Sequence, residues 1–417
     1  LIDPKLVNYI QPLLLEASSH DVADFKAWAS RLSKRYEVVK LAEGSFGEVF
    51  KLHKKSASAA AVLDVHGGCI LKVVPLLAES GPGSKDHTAT SIDGIVRESK
   101  VLKAMAVIPG FTAFRELHVV KGKYPDSFLE AFRSFKEERN DCDNEDPERF
   151  SSDQLFAIIE MDDAGVDLDS LRKPSVFQVF DIFWSCVVIL ANAEEKVDFE
   201  HRDLHIGNIC IKPWDHGGTI DITSGAVSSM SAAPTSLLGL SRIRTTIIDY
   251  TLSRVAQDLE KKDIIFDPFR DASIFKATSK KLEDKRQFET YRSMHNCMLA
   301  AQFEARGTGP SPKKKGKEVD LWSRFVPKTN VVWLGYILYV LLLRANGRIL
   351  PNSSEEAEKL QTRMYAALKD VMDTIDVQLE ELPTSAKEFL EVTEANEWLT
   401  REDLKSLKEK LEAEAEE

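Results

Sequence analysis

The chain reads as an α+β protein of two lobes, a β-rich first lobe and a larger, mainly helical second one. Three observations predict this. Between residues 36 and 160, short apolar runs of strand length are bounded by turn residues. Past Gly165 the apolar positions fall into longer stretches of helical period. The 417 residues, 43% of them hydrophobic, can bury a large core, which excludes global disorder.

Residues 1–34 mix apolar and charged positions at helical spacing and read as an N-terminal helical extension. The first lobe then covers 35–163. Residues 36–41 and 47–52 read as two strands around a glycine-bearing turn, and 69–74 as a third. A loop rich in Gly, Ser and Pro leads to a helix over 92–105. Two more strands are expected at 118–121 and 155–160, with the charged run 136–148 between them as a solvated loop. The second lobe covers 164–395. Its residues 176–193 are apolar enough for a buried helix. Two insertions, about 214–241 and 305–317, interrupt it. The lysines of 313–317 admit a nuclear localisation signal, a solvated loop being the plainer reading. Residues 396–417 alternate Glu, Lys and Leu and read as a charged C-terminal surface helix or tail.

The net charge of −12 argues against nucleic-acid binding and allows a basic partner. Five scattered cysteines without a C-x-x-C pair suggest reduced thiols in an intracellular compartment. The run 331–343 is too short to span a bilayer, and no signal peptide is visible. The chain opens on Leu1 rather than Met, which reads as a fragment.

The chemistry concentrates in His201-Arg202-Asp203, with Asn208 five residues beyond Asp203 and Asp249 ending the apolar run 246–248. These are parts needed to move a phosphoryl group. Asp203 can accept a hydroxyl proton, while Asn208 and Asp249 can hold Mg2+ on ATP phosphates. His201 and Arg202 shape the loop rather than react. The glycine-rich turn from Leu41 through Gly44, Ser45, Phe46 and Gly47 to Val49 can lay backbone N–H groups over phosphates, with Val49 covering the base. Ala42 stands where such loops have their first glycine, and an ordinary hairpin is the plain alternative. Lys72 lies mid-strand and needs solvent or a partner. Glu98, on the helix over 92–105, can supply one and leave Lys72 to the phosphates.

With these residues assembled, the sequence resembles the eukaryotic protein kinase superfamily, and the haspin family most closely, from about Tyr36 to about Leu390. Asp249-Tyr250-Thr251-Leu252-Ser253-Arg254 stands where ordinary kinases have D-F-G. His205 replaces the usual catalytic-loop lysine, and no A-P-E sequence follows. The resemblance implies a two-lobed protein-kinase-like fold. It implies ATP and Mg2+ as cofactors, with Lys72, Glu98, Asp203 and Asn208 catalytic and Asn208 and Asp249 on the metal. Glu160, Met161, Asp162, Ala164 and Gly165 would form the strand end and hinge beside adenine, with Tyr250 and Thr251 also at the nucleotide. Asp167, Asp169 and Asp271 would receive a basic substrate, the N-terminal tail of histone H3, modified at its third residue, a threonine, in mitotic chromatin. In an extended segment, Asp167 and Asp169 would point to one side. A nuclear, chromosome-associated location is implied, with activity that needs no phosphorylation of 252–285; a monomer without direct nucleic-acid or membrane binding is expected beside it. Two alternatives stand beside this. A small-molecule kinase of the choline or aminoglycoside type shares D-L-H-x-G-N. A pseudokinase scaffold would lack turnover, against which the complete set of charged residues argues.

Overall fold

A computed structural model of the protein describes residues 4–44, 47–55, 69–77, 90–139, 144–214, 236–256, 263–270, 272–306, 320–351 and 353–416. Ser45, Phe46, Asp271, Cys142 and the greater part of both insertions lie outside them. The chain divides into two compact units, one of residues 1–106 and 112–163, the other of 107–111 and 164–416.

The first unit contains α1 (Pro4–Glu16), β1 (Val22–Asp24), α2 (Phe25–Leu32), β2 (Tyr36–Gly44), β3 (Gly47–Lys54), β4 (Cys69–Pro75), α3 (Ile92–Met105), β5 (Phe114–Lys121), α4 (Asp126–Glu138) and β6 (Leu155–Asp162). Its six-stranded sheet runs β1-β5-β6-β4-β3-β2, antiparallel except for β1 against β5. Central β4 is buried along its length except at Lys72, because both of its faces are covered. Phe25, Phe50, Tyr124, Phe128 and Phe156 pack in edge and tilted contacts, as with Phe50 and Phe128 at 4.9 Å.

Two expectations change here. The N-terminal extension is not purely helical: β1 joins the sheet, and Phe25 and Trp28 of α2 enter the core. The charged run expected as a loop begins inside α4, whose Phe128, Leu129, Phe132 and Phe135 form one buried stripe. Charges on its outer face hide that stripe from a reading of composition.

The second unit contains β7 (Val166–Asp167), α5 (Val176–Val197), β8 (Ile209–Pro213), β9 (Ile243–Ile247), β10 (Arg254–Ala256), β11 (Ile264–Phe266), α6 (Leu282–Arg306), α7 (Lys328–Ala345), α8 (Glu355–Ile375), α9 (Ala386–Ala395) and α10 (Arg401–Glu416). It is mainly helical, with a small sheet β7-β8-β9 and a β10-β11 pair. Helix α5 starts at a capping box in which Ser175 and Gln178 satisfy each other's backbone N–H. It is the one helix among the described residues long and apolar enough to cross a membrane, and 94% of that apolar window is buried inside the protein. The C-terminal helix α10 is more than a charged surface element. Leu404, Leu407 and Leu411 are buried, and α10 packs against α5. The end of the first insertion is tied down by two carboxylates: Asp181 accepts from the N–H groups of Gly239 and Ser241, each at 2.7 Å, and Asp403 from that of Leu237 at 2.9 Å.

Candidate active site

The first unit carries the residues expected to handle the nucleotide. Lys72 on β4 reaches Glu98 on α3, Nζ to Oε1 at 2.6 Å. The glycine-bearing strands pair as a hairpin. Leu41 is the extra residue of a bulge, because Lys40 pairs with Phe50 and Ala42 with Val49. Ala42 therefore stands in a regular ladder, which a methyl group does not disturb. Gly47 is required by its surroundings, since a Cβ there would lie 2.4 Å from the Val73 carbonyl oxygen.

Beneath the hairpin, the fully buried Lys40 ammonium meets Glu48 at 2.6 Å and Glu43 at 3.1 Å. It also lies 4.0 Å from the centre of the Phe132 ring of α4. Burial raises the Glu48 carboxyl, while Lys40 works in the opposite direction.

The hinge-strand residues are tied to their own sheet. The Glu160 carboxylate faces the His118 ring and the Cys69 thiol, and its backbone pairs with Leu71 and Glu116 in the sheet. Arg115 holds the Asp162 carboxylate, and the Asp162 N–H is taken by the Ala113 carbonyl. Met161 and Val49 are half-buried.

In the second unit, the loop before β8 is built on buried charges. Arg202 is fully buried with a positive φ of 66°. It donates to Glu200 at 2.9 Å and to the carbonyls of Trp322 and Arg324 at 2.7 and 3.0 Å. Glu200 also accepts from Val326 N–H and Thr329 Oγ1. His201 is clamped through its ring. A carbonyl can only accept and an amide only donate, so Nε2 carries the proton given to Ile248 O and Nδ1 accepts from Asp203 N–H. Burial pushes its pKa down to about 4, so it stays neutral. Both residues hold the loop, as their positions in the sequence suggested.

Asp203 is thereby presented half-buried. Burial pushes its pKa up to about 8, opposed by the hydroxyl of Tyr291 on α6, which donates to Oδ1, and raised further by the charge of Asp249. A raised pKa makes the ionised group the stronger proton acceptor, and the bonds from Tyr291 and Asn208 work to keep it ionised. Asn208 donates from Nδ2 to the Asp203 carbonyl at 2.8 Å. The amide orientation follows, and its oxygen is turned to serve as an acceptor.

Asp249 sits just past β9 with φ of 59° and is exposed. Thr251 orients its carboxylate, Oγ1 to Oδ1 at 2.5 Å. An amide oxygen and a carboxylate are hard donors of the kind Mg2+ takes, so Asn208 and Asp249 fit that ion. Tyr250 does not fit the nucleotide role expected of it. Its ring is buried among Phe111, Phe199 and His201, and its hydroxyl donates to Ile247 O at 2.8 Å. It anchors the turn that displays Asp249.

The acidic pair also differs from expectation. Asp167 ends β7 and caps the 3-10 turn 168–170, accepting from Ser170 N–H at 2.9 Å. Asp169 lies within that turn and pairs with Arg344 at 2.9 Å. The turn breaks the period of two on which a common direction rested. Gly165 before them has φ of 99°, and a Cβ there would lie 2.2 Å from Ile211 O. It is required for the approach to β8. Ala164 is buried.

Several residues of the site carry no local signal. Tyr291, Asn330 and Thr329 stand 88 to 129 positions from the loop residues they hold, in plain helical sequence. Only the catalytic-loop end of Glu200-His201-Arg202 pointed to the region.

Residues 2–402 match the model of the haspin-like kinase domain. The serine/threonine-protein kinase haspin homolog of Drosophila melanogaster is 30% identical over 312 residues, 73% of this chain and 48% of that protein. The haspin homolog hrk1 of Schizosaccharomyces pombe is 27% identical over 400 residues, 93% of this chain and 71% of that one. Mouse serine/threonine-protein kinase haspin is 30% identical over 307 residues, 72% of this chain and 34% of its own length. The chain thus spans about half of the Drosophila relative and a third of the mouse one. With D-Y-T-L-S-R displaying Asp249 and the His201–Asn208 loop held on Glu200 and Arg202, the chain belongs to the haspin-like kinase family.

Proposed function

We propose that the protein is an ATP-dependent serine/threonine kinase that phosphorylates the threonine at the third position of the histone H3 tail, in the nucleus on mitotic chromosomes. The observation that carries the reading is the loop in which Asn208 and Asp203 are fixed together, with Tyr291 on the carboxylate. Asp203 takes the proton of the attacking hydroxyl. Lys72, held by Glu98, binds ATP phosphates. Asn208 and Asp249 hold Mg2+, which when bound neutralises charge on the transferred phosphoryl group. Leu41 and Val49 cover the base, and the backbone of Asp162 and Ala164 meets adenine. A protein hydroxyl as acceptor is supported by the relatives, which are serine/threonine-protein kinases by name, and a basic tail is compatible with the net charge of −12. Asp169, half-exposed beside Arg344, is an acid this tail can reach. The β10–β11 pair and the anchoring of Arg254 by carbonyls of Asp198 and Ser323 support activity without phosphorylation of 252–285.

Radiolabelled ATP offered with an H3 tail peptide, the same peptide with alanine at position three, choline, and no acceptor tests this. Label should enter the intact peptide alone. Asp203→Asn should lower kcat by about 10²–10⁴, with the Kd for ATP changed less than about twofold. Label on choline would make the protein a small-molecule kinase. ATP binding without transfer to any acceptor would make it a scaffold.

A further inference from the structure

We propose that Tyr291 is a positioning residue for the transfer, its hydroxyl holding one oxygen of Asp203 so that the other faces the substrate hydroxyl. This rests on the reading of Asp203 as the base. The phenol sits on α6, far along the chain from the catalytic loop, and is 3% exposed. Its ring stands edge-on to Trp333 of α7 with centroids 5.0 Å apart, so packing between two helices sets the direction of the hydroxyl.

The direction of donation is also set. The Asp203 carboxylate can only accept, so the phenol donates to it, and Gln287, one turn earlier on α6, is a second hydrogen-bond partner of the same hydroxyl. The phenolic proton goes to Oδ1 of Asp203. Burial and the nearby carboxylate both keep the phenol protonated, so it remains a donor. On the backbone side, the Asn208 amide holds the Asp203 carbonyl at 2.8 Å. Asn208 is also a hydrogen-bond partner of the Asp203 carboxyl, so Tyr291 and Asn208 orient the side chain together. A carboxylate free to rotate would spend part of its time with neither oxygen aimed at the acceptor, and misorientation lowers the rate without weakening binding.

Tyr291→Phe removes the hydroxyl and leaves the ring on Trp333. Steady-state kinetics of the full chain should show kcat down about tenfold, with the KM for ATP and for the H3 peptide within about twofold of the parent and the Tm unchanged. Gln287→Leu, which frees the hydroxyl to rotate, should lower kcat by about two- to threefold with the same unchanged KM values. Parent-like kcat in Tyr291→Phe overturns the proposal. So does a loss that comes with raised KM values and a lowered Tm, which marks a packing role. If Tyr291→Phe does not fold, an unaltered kcat in Gln287→Leu overturns it. Asp203→Asn retaining parental turnover would instead remove the base assignment beneath it, an outcome distinct from either.

Discussion

The two units hold their functional side chains by different means. In the first, Lys72 and Glu98 form a contact between a strand and a helix; β4, which carries Lys72, is fixed by aromatic packing around Phe25, Phe50 and Phe156, and α3, which carries Glu98, packs on α1. In the second, the catalytic loop is irregular chain. Beyond the backbone bridge of Glu200 to Arg254, its amides and carbonyls have no ladder to satisfy them, and burying them unpaired would be costly. Side chains do the work instead: Asn330 accepts from His201 N–H at 3.1 Å, Ser253 donates to His201 O, and Arg202 donates to two carbonyls. A regular element can carry function on a hydrophobic base, whereas a loop needs a polar network.

The sharpest way to break this comparison is at the network's centre. Glu200→Ala leaves the Arg202 charge buried and unpaired, and should cost about 3–5 kcal/mol, read as a large fall in unfolding free energy in urea. A loss near zero would show that the loop is held by something other than the network.

The next effect is set by pH. Glu194 receives Asn330 Nδ2 at 2.9 Å, yet burial pushes its pKa up to about 7. Asp181, under the end of the insertion, is likewise raised to about 6. A carboxyl whose folded pKa lies above its unfolded value contributes stability in acid and loses it as pH rises through the folded value. Stability should therefore fall between about pH 4 and 7 and level off above, by roughly 3 kcal/mol for Glu194 alone. Glu194→Gln should flatten the slope around pH 6 in urea titrations at several pH values. A slope unchanged by that substitution would assign it elsewhere.

The smallest effect on stability is expected in the first unit. Lys72→Met leaves the Glu98 acceptor unsatisfied and should cost about 2 kcal/mol, while turnover falls by about 10² or more. If it destabilised the protein as much as Glu200→Ala, the contrast between the two units would fail.

The sequence by itself determined the order of strands and helices wherever a local period was intact. The strands around Lys72, the helix bearing Glu98 and the long buried helix were legible because burial imposes its period directly on the residue types. Asp203, Asn208 and Asp249 were legible because phosphoryl transfer needs those groups at short spacing. Helix α4 was obscured by its charged face, and β1 by its three-residue length. What only the tertiary structure decided was which side chain meets which across the chain. It turned Tyr250 into the core, closed Asp167 onto Ser170 and Asp169 onto Arg344, and brought Tyr291 to Asp203 from 88 residues away. Such contacts leave no periodic trace, because a hydrogen bond between distant residues constrains two positions and none of their neighbours.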